Sequence, residues 1–147
     1  MNDLSPVDPV ARARDLASLI TAAADEIERS RRLTESVLDR LHEARLFRML
    51  YPRSVGGDEV APTIYINAVA ELARQDGSVG WCVSIANSIG LFAPYLDLEA
   101  ACTVFGDPRA TCAWGPPKAL LRRNEPSGST TVPRAPIRFV AKKSAAR

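Results

Sequence analysis

With 147 residues, of which 46% are apolar and 24% charged, the chain has the composition of one soluble globular domain and is too short for two domains of ordinary size. The N-terminus lacks the basic and apolar regions of a signal peptide, so we expect a cytoplasmic protein. The three cysteines form no Cys-x-x-Cys pair, and we therefore expect reduced thiols, with neither disulfides nor a zinc site. The net charge of +2 is unevenly distributed: residues 1–117 hold 11 basic and 16 acidic side chains, whereas residues 118–147 hold eight basic and one acidic.

Two amphipathic helices are expected in the N-terminal third of the chain. Asp8 and Pro9 are typical of a helix start, because Asp accepts from free amides of the first turn and Pro lacks only an amide that has no partner there. Apolar residues then recur at helical spacing to about Arg29, with the charged side chains, arginines included, on the solvated face. A second helix is predicted after Thr34. His42, the only histidine, lies about one residue off its apolar stripe, which favours a surface or packing role over catalysis.

A glycine-containing turn separates these helices from a third one. Residues 46–52 are irregular, and Gly56 and Gly57 supply two positions that can adopt positive φ. One glycine pair without a Gly-x-Gly-x-x-Gly pattern or a Lys-Ser/Thr ending is weak evidence for a phosphate-binding loop. Pro62 begins the third helix, which leads directly into the most apolar part of the chain.

Residues 73–94 are predicted to contain a helix that is buried on nearly all sides. Asp76 and Ser78 are both good N-cap residues, and Pro94 ends the element because it cannot donate to the preceding turn. Small and polar residues recur along one side, namely Gly77, Gly80, Ser84, Asn87, Ser88 and Leu91. The apolar side carries Val79, Trp81, Val83, Ile85, Ala86 and Ile89. The polar stripe permits either close helix packing or the approach of a flat ligand, and its polar residues favour a core helix over a membrane span.

The last predicted elements are a short helix, an extended segment and a tail. Asp97 caps the helix, and residues 110–117 are extended because their two prolines exclude a central strand position. Residues 118–147 show no periodicity and a basic excess, which indicates disorder. The sequence therefore predicts an all-α domain of about five helices over residues 10–117, with an arm over residues 1–9 and a disordered basic tail.

Four pieces of the chain together carry a family resemblance: residues 41–52, the turn at Gly56 and Gly57, residues 71–81 and residues 105–117. In order and spacing they resemble the N-terminal helical domain of the acyl-CoA dehydrogenase family of flavoproteins, over about residues 10–117. The Asp-Gly-Ser-Val-Gly-Trp and Trp-Gly-Pro-Pro segments are similar to the branch that contains flavin-dependent monooxygenases of aromatic compounds. The resemblance therefore implies a flavin oxidoreductase, either a dehydrogenase or such a monooxygenase.

The resemblance also implies where ligands bind. Members contain a helical N-terminal domain, a middle β-barrel domain and a C-terminal four-helix bundle, usually assemble as homo-oligomers, and hold FAD or FMN mainly between the last two domains. The N-terminal helices wall the pocket for a small-molecule substrate, an acyl-CoA or an aromatic compound. By this analogy the substrate pocket is lined by Trp81, Ser84, Asn87 and Ser88. Trp114 and Gly115 stand where the chain approaches the flavin, and the catalytic base belongs to the C-terminal domain.

Beyond Pro117 the sequence departs from the family pattern. A glycine-containing β segment and a long remainder would follow in the family, whereas this chain changes to Arg, Pro, Ser, Thr and Ala, as a frameshift in GC-rich coding DNA produces. A truncated or frameshifted product is therefore expected to be inactive alone and to bind no flavin. The alternative outside the enzyme class is a helical interaction module whose basic tail attracts an acidic partner or nucleic acid without sequence specificity.

Overall fold

The computed structural model describes residues 8–113 and 140–142, and helices dominate this part of the chain. The helices are α1 (Pro9–Asp15), α2 (Ala17–Ser30), α3 (Glu35–Glu43), α4 (Pro62–Gln75), α5 (Gly77–Gly90) and α6 (Leu98–Phe105), and the strands are β1 (Thr111–Ala113) and β2 (Val140–Lys142). Single 3-10 turns lie at Arg53–Val55 and Ala93–Tyr95. The predicted all-α class is confirmed. No helix of the described residues combines the length and the apolar character needed to cross a bilayer.

The first predicted helix is divided at Leu16, so that the described residues contain six helices where about five were expected. The backbone of Leu16 has φ −91° and ψ −4°, and its amide donates to the carbonyl of Ala13 at 3.2 Å. This bond to the third preceding residue winds the chain more tightly than an α-helix and interrupts the regular ladder. The side chain of Leu16 nevertheless stays in the core.

The helix starts predicted from capping residues are confirmed. Four side chains accept hydrogen bonds from amides in the first turns of α1, α3, α5 and α6, namely those of Asp8, Thr34, Asp76 and Asp97. Asp76 accepts from the amides of Ser78 at 2.8 Å and Val79 at 3.1 Å, and also from the Ser78 hydroxyl. The hydroxyl bond is the main reason that the pKa of Asp76 lies below its ordinary value. Each cap stabilises its helix by about 1 kcal/mol.

The buried side chains form two clusters that share α5. The larger cluster contains residues from each of the first five helices, including Ala13, Ile20, Leu41, Leu72 and Val83. The smaller cluster contains Tyr51, Val55, Ile89, Ala93, Ala101, Phe105 and Cys112. Because α5 contributes its first three turns to one cluster and Ile89 to the other, it is the element that connects the two halves of the core.

α4 and α5 form a helical hairpin in which only Asp76 separates the two helices. A Cβ atom on Gly80 would lie 2.7 Å from the Cβ of Ala73, a distance that real Cβ atoms do not tolerate. Glycine at this position therefore allows the two helices to approach closely. At Gly80 the stripe of small residues serves helix packing, one of the two roles that the sequence left open.

Arg12 departs from the prediction that the charged residues of the first helix lie on its solvated face. Its guanidinium donates to the carbonyl of Ala44 at 2.8 Å and to a carboxylate oxygen of Asp58 at 3.0 Å. Arg45 donates to the other oxygen of the same carboxylate, from Nε at 2.8 Å. The side chains of Arg12 and Asp58 are only 15% and 16% exposed, because the loop after α3 covers them. The shared carboxylate thus fastens that loop to α1.

β1 and β2 pair as an antiparallel ribbon, with Thr111 opposite Lys142 and Cys112 opposite Ala141. β1 lies in the segment that was predicted to be extended. β2 lies within residues 118–147, where the sequence predicts a disordered tail, and its backbone groups pair with those of β1. The rest of that predicted tail lies outside the described residues.

Gly90→Ala is expected to lower the free energy of unfolding by about 1–3 kcal/mol, the usual effect of overpacking. A Cβ atom there would lie 2.4 Å from Cδ2 of Tyr51, whose fully buried ring cannot move aside. Gly77→Ala is the matched control on the same helix, because a Cβ atom there meets nothing within 4 Å. Urea denaturation followed by circular dichroism measures both variants. Equal stability of the two would contradict the tight contact between Gly90 and Tyr51.

Candidate functional site

Asn87 is the polar residue at the centre of the buried face of α5, and its side chain is fully buried. Nδ2 donates to the carbonyl of Leu46 at 2.7 Å and to that of Val83, in its own helix, at 2.9 Å. Oδ1 accepts from the amide of Leu50 at 3.1 Å. Both amide hydrogens are therefore used inside the protein, and Asn87 ties α5 to the irregular segment that precedes the glycine turn.

Ser84 and Ser88 are half-buried residues one turn apart on α5. The hydroxyl of Tyr65, on α4, lies 3.0 Å from Oγ of Ser84 and 3.2 Å from its carbonyl oxygen. Oγ of Ser88 donates to the carbonyl of Ile85 at 2.8 Å. The structure thus brings the three predicted polar residues together within five positions of one helix and adds Tyr65, which the sequence did not indicate.

Trp81, the fourth predicted pocket residue, is 68% exposed. The expectation that α5 is buried on nearly all sides is therefore wrong at Trp81 and at the neighbouring Cys82, which is also exposed. Helical rotation places Trp81 on the side opposite Val79 and Val83, which face the larger cluster. An aromatic ring left in solvent offers a flat apolar face to a ligand or to another protein segment.

A second group of exposed apolar residues follows the end of α5, and we call it the 91–98 apolar surface. Its members are Leu91, Phe92, Tyr95, Leu96 and Leu98, each at least 43% exposed. Ala93, in the middle of this stretch, is buried in the smaller cluster and holds the surrounding residues at the protein surface. So many large apolar side chains within eight positions are typical of a surface that contacts another protein segment.

Arg48 and Tyr51 form a buried pair that the sequence did not single out. Arg48 Nη2 donates to the carbonyl of Val55, and the guanidinium lies 4.5 Å from the centre of the Tyr51 ring. The Tyr51 hydroxyl donates to the carbonyl of Ala86 at 3.1 Å, and its ring packs edge-on against Phe105. Burial raises the pKa of Tyr51 and lowers that of Arg48. In the sequence, this pair is marked only by two polar side chains within an apolar run. The contacts of Arg48 and Tyr51 stabilise the fold.

The model of the acyl-CoA dehydrogenase N-terminal domain matches residues 10–98 of this chain. The match runs from α1 to the first residue of α6 and includes all four predicted pocket residues. The chain belongs to the acyl-CoA dehydrogenase family. The family match also favours the flavoprotein interpretation over that of an unrelated helical interaction module.

Three similar members of the family are monooxygenases by name. The indole-3-acetate monooxygenase of Acinetobacter baumannii is 30% identical over 95 residues, which cover 60% of this chain and 24% of that protein. The enzyme of the same name from Pseudomonas putida is 27% identical over 123 residues, 78% of this chain and 31% of that protein. The crystal structure of the HsaA monooxygenase from M. tuberculosis superposes with a TM-score of 0.66 and 28% identity, covering 71% of this chain and 29% of that one. The chain thus spans about a quarter to a third of the length of these relatives.

The cavities found among the described residues of this acyl-CoA dehydrogenase domain are small. Two cavities among them have volumes of about 180 and 290 Å³, below the 300–1,000 Å³ that is typical of small-molecule sites. The smaller cavity is lined largely by ionised side chains, those of Arg12, Asp15, Arg40 and Glu43. Trp114 and Gly115, which were expected near the flavin, lie outside the described residues. No step of flavin chemistry is therefore assigned to residues 8–113.

Asn87→Ala is expected to lower the free energy of unfolding by at least about 2 kcal/mol, because it leaves the amide of Leu50 and the carbonyl of Leu46 without their partner. Ser84→Ala is the comparison variant. Its loss should be about 0.5–1.5 kcal/mol, since the Tyr65 hydroxyl keeps its contact with the carbonyl of residue 84. Urea denaturation curves of both variants provide the test. A loss in the Asn87 variant no larger than in the Ser84 variant would show that the amide bridge is not a major constraint.

Proposed function

We propose that this chain is the N-terminal, pocket-lining domain of a flavin-dependent monooxygenase that acts on an aromatic substrate. The observation that carries the proposal is the likeness of the helical domain to the HsaA monooxygenase structure, at a TM-score of 0.66 and 28% identity. The two indole-3-acetate monooxygenases support it from sequence alone. A dehydrogenase that acts on an acyl-CoA is the alternative within the same family.

The 91–98 apolar surface supports the proposal that this domain packs on further domains. In the three relatives most of the protein lies outside the matched part, so the helical domain has neighbours within the same chain. This surface has five exposed apolar residues, and Asp97 is the only charged residue between them. Such a surface is more stable when it is buried against another domain than when it is exposed to solvent. When nothing covers this surface, self-association is favoured, and we propose that the chain forms homo-oligomers.

The proposed substrate pocket lies along the exposed side of α5. Trp81 has a free indole face that can stack on an aromatic ring, a contact worth about 0.5–1.5 kcal/mol beyond the area it buries. Ser84 and Ser88 supply short hydroxyl groups to the same stretch of helix. Asn87 contributes indirectly, since its buried amide holds α5 in position against residues 46–50.

A bound flavin supplies the oxygen chemistry of such an enzyme. We propose that FAD or FMN is held by parts of a complete enzyme other than residues 8–113, with Trp114 and Gly115 approaching it. The role of the described residues is then to shape the substrate side of the site and to exclude water from it. This chain by itself is accordingly proposed to be inactive.

The purified chain is expected to be colourless and to retain neither FAD nor FMN after gel filtration from a mixture with excess flavin. The reason is that its described cavities are too small and too charged for the isoalloxazine ring. Visible absorbance and fluorescence of the protein fraction provide the measurement. One flavin per chain in that fraction would overturn the proposal that the flavin is held elsewhere.

A chimera tests the monooxygenase assignment. Residues 10–113 replace the matching segment of the Pseudomonas putida indole-3-acetate monooxygenase, and conversion of indole-3-acetate is measured. We expect turnover, and we expect Trp81→Ala in the chimera to raise KM by about three- to tenfold through loss of stacking. Trp81→Phe, which keeps an aromatic face, is the matched control and should leave KM nearly unchanged. A folded, flavin-loaded chimera that forms no product would contradict the monooxygenase assignment. An unchanged KM in the Trp81→Ala variant would show that Trp81 does not line the substrate pocket.

A further inference from the structure

Residues 107–111, which connect α6 to β1, are fastened to α3 by two side-chain contacts. The guanidinium of Arg109 forms an ion pair with the carboxylate of Asp39. One turn along α3, Nε2 of His42 lies 3.5 Å from Oγ1 of Thr111. Both contacts join residues about 70 positions apart in sequence, and they fix the direction in which the chain leaves the helical domain.

Arg48 adds a third contact to the same segment, because its Nη1 donates to the carbonyl of Asp107 at 3.5 Å. The segment is therefore held from the loop after α3 as well as from α3 itself. Directly beyond it, Cys112 is buried in the smaller cluster. Because Cys112 follows Thr111 directly in the chain, we expect movement of residues 107–111 away from α3 to change the exposure of its thiol.

His42 is the group in this arrangement that can change its charge near neutral pH. Its ring packs against Phe47 with 4.8 Å between centroids. Nδ1 is buried and forms no hydrogen bond of normal length and angle among residues 8–113. The backbone carbonyl of Pro108 is close enough to favour a second proton on the imidazole, but it does not complete such a bond.

The charged groups that face His42 come from α3, from the loop after it and from the 107–111 segment. Burial is the main reason that the pKa of His42 is lowered, and the positive charge of Arg109 is the next. The carboxylate of Asp39 and the backbone carbonyl of Pro108 act in the opposite direction, and Arg48 lowers the pKa further. The net effect is that the packed arrangement favours neutral imidazole.

We propose that His42 and Asp39 form a pH-dependent latch on residues 107–111, closed while His42 is neutral and released when His42 gains a proton. Release exposes the His42 ring to water and moves Arg109 away from it. Both changes stabilise the protonated imidazole, because burial and the positive charge of Arg109 are the two main causes of its lowered pKa in the closed form. A protonated His42 also offers Asp39 a cation in place of Arg109, so the ion pair that holds the segment is exchanged for one within α3.

The direction of the pH dependence follows from proton linkage. A solvent-exposed histidine has a pKa of 6.5, and His42 in the closed arrangement has a lower one. The open form therefore binds more protons as the pH falls below 6.5, and the closed form loses stability over that range. At pH values at least about one unit higher, His42 is almost entirely neutral in both forms and has little effect on the latch.

The reactivity of Cys112 reports the opening of the latch. Cys82 and Cys102 are exposed, so both are replaced by Ser, and the remaining thiol is titrated with 4,4′-dithiodipyridine, which reacts under mildly acidic conditions. Rates are compared between variants at each pH, so that the pH dependence of the thiol itself cancels. Circular dichroism at each pH shows that the domain remains folded.

His42→Gln, which retains a hydrogen-bonding side chain but cannot gain a proton, is the decisive variant. At about pH 7.5 its Cys112 should react at the same rate as the parent, and at about pH 5.5 the parent should react at least about threefold faster. Glu43→Gln is the matched control on α3, because Glu43 pairs with Arg40 and not with the segment. It should follow the parent. The same ratio of parent to His42→Gln rates at both pH values would overturn the proposal.

Asp39→Asn tests the latch independently of His42. It removes the partner of Arg109 at every pH, so Cys112 should react at least about threefold faster than in the parent even at about pH 7.5. An unchanged rate there would show that the ion pair does not hold the segment and would also overturn the proposal. Neither result depends on flavin or substrate, so this test is separate from that of the monooxygenase function.

Discussion

The side-chain amide of Asn87 is the constraint on which much of this domain depends. A helix with no charged residue over fourteen positions has little to fix its rotation, yet two hydrogen bonds at this one position join it to residues 46–50. Tyr51 comes directly after these residues in the chain, and its ring packs against Gly90. The smaller cluster, with Phe105 and Cys112, is built on that ring.

Close backbone contact is the second constraint on α5. Gly80 meets Ala73 of α4, and Gly90 meets Tyr51, so glycines near the two ends of the helix admit neighbours that a methyl group would exclude. Between them lie the polar residues expected at a pocket. The same helix therefore combines a rigid, closely packed face with an exposed side on which Trp81 stands free. This combination suits the pocket wall that we propose, since a rigid face can position the exposed one.

Five charged residues of the domain attach irregular segments of the chain to the helices. Asp58 binds Arg12 and Arg45 and secures the loop after α3, while Asp39 binds Arg109 and secures the segment before β1. Together these pairs hold the irregular parts of the chain against the helices. The segment that leaves toward β1 is the one whose attachment includes a titratable imidazole, and on this contact rests the pH-dependent latch that we propose.

The sequence by itself determined the helix starts, the all-α class and the family, because caps, helical periodicity and short motifs are local properties of the chain. It also placed Ser84, Asn87 and Ser88 on one helix within a few positions. Tertiary structure decided which sides of that helix are covered, and it left Trp81 in solvent although the local pattern had placed it with the buried residues. It also buried Arg48 and largely covered Arg12, whose partners come from other elements. His42 meets Thr111 for the same reason: the two residues are 69 positions apart, and only the packing of the helices brings them together.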